Sequence, residues 1–165
     1  MKKAFECLDW GYLRLVLFKI GIHPKRVELI MACVIKVDYS LIINKYPTKF
    51  FRAGRGLRQG CSLSPFLFIL AMDSLSLHIS KAVKQDHFQS LQMGDNINIS
   101  HGFFVDDVLI MGMLNRFTWL CLFHIFRKFA NATGLYMNAQ KSIIYHGNCD
   151  LHIIAYIKNL FGIDA

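Results

Sequence analysis

Gly102-Phe103-Phe104-Val105-Asp106-Asp107-Val108-Leu109-Ile110-Met111-Gly112 sets two adjacent carboxylates between two apolar, strand-forming runs. Such runs joined directly by two aspartates predict a tight β-hairpin with its acids at the tip. Like charges side by side on a hydrophobic scaffold are unfavourable unless a cation neutralises them. Asp106 and Asp107 are therefore candidate ligands for a divalent metal. Asp-Asp also suits a plain turn, so the hairpin needs the rest of the chain to be read.

The chain has 165 residues, enough for one domain with a real core. With 54% hydrophobic and 18% charged residues, extensive disorder is excluded. The longest apolar stretch, about 63–79, is interrupted by Pro65, Asp73, His78 and several serines. It reads as a buried helix and a poor membrane span, so no membrane partner is expected. No basic segment followed by an apolar run opens the chain, so no secretory signal is read. Cys7, Cys33, Cys61, Cys121 and Cys149 are widely spaced, odd in number and contain no Cys-x-x-Cys. That argues against zinc or a disulfide framework and for an intracellular, reducing compartment, and leaves nucleus and cytoplasm open. His23, His78 and His152 form no cluster and read as surface or core groups.

Charge is lopsided. The net charge is +8, and residues 1–60, with twelve Lys and Arg against four Asp and Glu, carry all of it. A one-sided basic surface suits a phosphate backbone or an anionic membrane.

Asp9 can cap a helix with Leu13, Val16, Leu17 and Ile20 on one face, stopped at Gly21. Pro24 can open a second, facing inward with Val27, Ile30, Met31 and Val34. Strands are predicted over 38–44 and 48–52, with Tyr46-Pro47 in the turn. Ser62 or Ser64 can cap, and Pro65 begin, the long apolar helix. A polar stretch over about 84–96 precedes the aspartate hairpin. Another helix covers about 117–132, ended by Gly134, and strands at about 135–138 and 142–146 precede a mixed final segment. Helices alternating with hairpins predict an α+β fold.

Gly54-Arg55-Gly56-Leu57-Arg58-Gln59-Gly60 leads into the long helix. Glycines let backbone N–H groups approach a ligand, and a helix N-terminus favours anions. Arg55 and Arg58 add charge for phosphate, and Gln59 an amide. The loop lacks the Gly-Lys-Ser/Thr ending of a Walker A motif.

Five blocks in order resemble the reverse transcriptase domain of non-LTR (LINE-type) retrotransposons, particularly their plant-like branch. They are Met1-Lys2-Lys3-Ala4-Phe5-Glu6 with Trp10; Arg55-Gly56-Leu57-Arg58-Gln59-Gly60 through Leu63-Ser64-Pro65 to Leu70; Phe104-Val105-Asp106-Asp107; Thr133-Gly134-Leu135 with Asn138, Lys141 and Ser142; and Leu160-Phe161-Gly162-Ile163. The resemblance implies a right-hand polymerase palm with adjoining finger elements, its small antiparallel sheet packed on helices. It implies an RNA template, a DNA primer, deoxynucleoside triphosphates and two Mg²⁺ ions. Asp106 would be the principal metal ligand with Asp107 beside it, and Lys141 a proton donor to pyrophosphate. Phe5 would lie beneath the incoming sugar, Gln59 and Gly60 would line the nucleotide pocket, and Arg55 and Arg58 would approach template or phosphate. Gly162 would mark the primer-gripping turn.

The chain departs from the family pattern at several points. The family's first catalytic aspartate immediately precedes the methionine that is Met1 here. The expectation is therefore a two-metal site short of a shared ligand and impaired catalysis, in a partial domain spanning 1–165 without most of the fingers and the thumb. Glu6 stands for an aspartate, Cys61-Ser62 for Asp-Pro, and Val105 for alanine. Apolar edges left by the missing parts would favour pairing with another chain. A non-catalytic nucleic-acid-binding module is the alternative function.

Overall fold

A computed structural model describes residues 1, 3–94, 97–147 and 150–163. Lys2 and Cys149, both used above, lie outside the described residues. The structure is organised around α4 (Ser64–Lys84), in which Leu67, Phe68, Ala71, Leu75 and Ile79 are buried. That spacing of three and four keeps one apolar stripe turned inward along the whole helix. By length and composition α4 could cross a bilayer, but its stripe is covered by α2 (Trp10–Lys19) and α5 (Arg116–Thr133). α3 (Pro24–Ile35) packs on α2, and α6 (Leu151–Phe161) on α5. Burial pushes the Tyr12 phenol up, and its hydroxyl bonds that of Ser74, fastening α2 to α4.

The caps follow simple chemistry. Asp9 accepts from the Tyr12 N–H (2.8 Å) at the start of α2. Asn115 accepts from Phe117 (2.8 Å), and Gly134 closes α5 in the left-handed region. At α4 the expectation fails: neither Ser62 nor Ser64 caps it, and Leu63 sits at the cap with no side-chain bond. Pro65 in the first turn, which has no N–H to satisfy, starts the helix instead.

The fold is α+β, yet among the described residues its strands form four antiparallel pairs rather than one small sheet. The pairs are β1 (Asp38–Tyr39) with β4 (Phe51–Arg52), β2 (Ile42–Ile43) with β3 (Tyr46–Pro47), β5 (Leu91–Met93) with β6 (Ile97–Ile99), and β7 (His101–Phe104) with β8 (Asp107–Ile110). Each strand is two to four residues long. In the first hairpin the turn is Asn44-Lys45, with φ of 51° and 71°, and Tyr46-Pro47 is strand. Positive φ at both central residues gives the turn whose twist matches a hairpin. The polar stretch after α4 contains strand β5 and the fully buried Phe88. The strands predicted over 135–138 and 142–146 do not form. A 3₁₀ turn, Ala139–Lys141, lies between irregular segments, where Ile143 and Tyr145 are exposed and find no partner strand.

Candidate active site

Residues 3–9 make the floor of the site. Ala4–Cys7 is one helical turn, α1, and not an extended strand. Two loops clamp it. The Leu57 N–H donates to the Phe5 carbonyl (2.5 Å), the Gly56 N–H to that of Leu8 (2.8 Å), and the Trp10 indole to that of Gly56 (2.7 Å). From the other side the Asp9 N–H donates to the Thr133 carbonyl (2.8 Å). Gly56 has φ +89°, and a Cβ there would stand 2.4 Å from the Glu6 carbonyl oxygen; at Gly134, φ +75°, it would stand 2.7 Å from that of Cys7. Both glycines are needed because backbone meets backbone. The glycine loop thus spends the N–H groups of Gly56 and Leu57 on its own chain, and not on a ligand.

The far end of that loop is different. Phe5, Arg58, Gln59 and Gly60 line an open groove of about 520 Å³, with Cys61 and Ser64 at its α4 end. Phe5 lies stacked on Phe68, ring centroids 4.5 Å apart and planes within 17°, so its ring is supported from below. The Gln59 amide donates to the Glu6 carboxylate (3.1 Å), which fixes its orientation. Gly60 takes φ +77° with open space where a side chain would be. The Arg58 hydrogen bond, then the Leu63 N–H, hold the Cys61 thiol down at about 7. Sequence reasoning treated Cys61 only as a departure. An arginine three residues before a cysteine, at a helix start, was the available signal.

The acidic hairpin turns at Val105-Asp106, and Asp107 is the first residue of β8, paired with Phe104. Only one acid is therefore at the tip. Phe103, Val108 and Ile110 pack on the core, which leaves Phe104, Asp107 and Leu109 on the exposed face of the ladder. Val105 has φ +55°, a strained conformation for a β-branched residue. The Asp106 carbonyl accepts from the Met1 amino nitrogen (2.8 Å), which also lies 4.0 Å from its carboxylate. Met1 is four residues from Phe5, so the chain keeps Met1 within about 14 Å of the groove floor, with the hairpin tip one hydrogen bond beyond it.

Lys141 ends the 3₁₀ turn, exposed, and no hydrogen bond or ion pair joins it to the groove. Arg55 is exposed and makes no ion pair among the described residues. Gly162 caps α6 in the left-handed region. Among the described residues no three His, Cys, Asp or Glu side chains come together to hold a metal. Asp106 and Asp107 do not complete a magnesium site on their own.

The family model described as reverse transcriptase (RNA-dependent DNA polymerase) matches residues 1–157. The chain belongs to the reverse transcriptase family. Members act on a nucleic-acid template and deoxynucleoside triphosphates and generally use Mg²⁺. This reverse transcriptase domain is also 40% identical over 67 residues to an uncharacterized mitochondrial protein of Arabidopsis thaliana. The match covers 40% of this chain and 55% of that relative.

Proposed function

We propose that this domain is part of the palm and adjoining fingers of a LINE-type RNA-directed DNA polymerase, and that the groove takes the incoming deoxynucleoside triphosphate. One observation carries this reading: Phe5 and Arg58–Gly60, more than fifty residues apart, line a single groove. The Phe5 ring offers a flat apolar floor to the sugar and leaves no partner for a 2′-hydroxyl. Gln59, oriented by Glu6, supplies an amide to the nucleotide, and Arg58 a fixed cation to its phosphates. Asp106, at the hairpin tip, and Asp107, the next residue, are the carboxylates that would hold Mg²⁺ at the primer end once a further ligand completes the site, and Lys141 and Gly162 are assigned to the pyrophosphate and primer sides. RNA template and DNA primer are the partners, within a single partial domain over 1–165.

Primer extension on an RNA template with Mg²⁺ or Mn²⁺ tests the reading. It predicts extension that Asp106→Ala abolishes and that Phe5→Ala relaxes toward ribonucleotides. Extension that survives Asp106→Ala overturns the assignment. Nucleic-acid binding without any extension favours the non-catalytic module.

A further inference from the structure

Residues 38–52 form an arm that buries nothing. The pair β1–β4 is its stem and β2–β3 its tip, joined at Thr48, whose N–H donates to the Leu41 carbonyl (2.8 Å) while its hydroxyl oxygen accepts from the Leu41 N–H (3.0 Å). No residue of the arm is buried, and Ile42, Tyr46 and Phe50 are each 77% exposed. Continuous apolar exposure of this kind marks a surface that meets something. From Lys36 to Arg58 six cationic side chains stand against one acid, Asp38. Arg52 neutralises that acid at 2.6 Å, and no ion pair reaches Lys45, Lys49 or Arg55 among the described residues. At the very tip Lys45 holds φ +71°, a conformation suited to glycine.

We propose that the arm grips an unpaired polynucleotide strand, Lys45 and Lys49 holding its phosphates while Tyr46 and Phe50 stack on its bases. Exposed aromatic rings interleaved with lysines fit a single strand, since a duplex hides the faces of its bases. Other occupants fit less well. A second copy of the arm would bring like charges together. A bilayer wants one apolar face and an uncharged leading edge, whereas Ile42 and Tyr46 project from opposite faces of the ladder and a lysine leads. The inference deepens the polymerase reading and rests on it.

The test is fluorescence anisotropy of the full chain with a labelled 12-nucleotide single strand, DNA and RNA in turn, against a duplex of the same length and anionic vesicles. Wild type is expected to favour the single strand. Lys45→Glu with Lys49→Glu should weaken binding about tenfold or more and lower the salt slope by about 1.4. Tyr46→Ala with Phe50→Ala should weaken it about tenfold with an unchanged slope. Unchanged circular dichroism checks that these exposed substitutions leave the fold intact. Wild-type binding that neither double variant alters would overturn the arm while leaving the polymerase reading in place. No binding by wild type would count against both, and preference for vesicles or duplex would reject the single strand.

Discussion

Two hairpins with the same sequence outline, an apolar run, two turn residues and another apolar run, end in opposite settings. The acidic one, β7–β8, lays Phe103, Val108 and Ile110 on the core, and its tip is tied to Met1. The basic one, β2–β3, contributes no buried side chain. Both tips carry a non-glycine residue at positive φ, Val105 in one and Lys45 in the other. Local strain is thus not what separates them. What separates them is the surface beneath, which makes one hairpin a part of the cooperative fold and leaves the other free to meet a partner.

The largest effect expected lies where the acidic side of the molecule is fastened. Gly56→Ala drives a Cβ into the Glu6 carbonyl and forbids the left-handed backbone. Urea unfolding should show a loss of about 3 kcal/mol, with the groove loop released; an unchanged midpoint would undo the clamp. Phe103→Ala and Phe50→Ala then compare the hairpins directly. The first should cost about 2 kcal/mol and the second under about 0.5, measured in the same way. Equal losses would erase the distinction.

Relieving strain at each tip sharpens it further. Val105→Gly should raise Tm by about 2 °C, since that hairpin unfolds with the core. Lys45→Gly should leave Tm unmoved and slow amide exchange only within the arm. The smallest effect concerns chemistry and not stability. Alkylation of Cys61, followed by mass spectrometry against pH, should be half-maximal near pH 7 and rise above it as the thiolate forms. In Arg58→Ala the midpoint should move up toward the ordinary thiol value near 9.

Helices α2 to α5 were legible because their signals are local: an Asp or Asn cap, a proline opening and a three-four apolar stripe; α6, read only as a mixed segment, was missed although Asp150 caps it. Phe5 and Gln59 were legible only through their motifs, since no local property joins residues 54 positions apart. Three features were hidden for physical reasons. The Asn44-Lys45 turn uses a lysine where glycine is usual. The hairpin register moved Asp107 into the strand, so one carboxylate left the tip. The segment 135–146 has strand-like composition but no neighbour to pair with.

Photocrosslinking of an azido-deoxyadenosine triphosphate to the chain, mapped by peptide mass spectrometry, tests the groove most directly and does not depend on turnover. The account predicts label within residues 58–65, competed by unlabelled nucleotide and lost in Gln59→Ala. Label that falls elsewhere, or that excess nucleotide fails to displace, would contradict it.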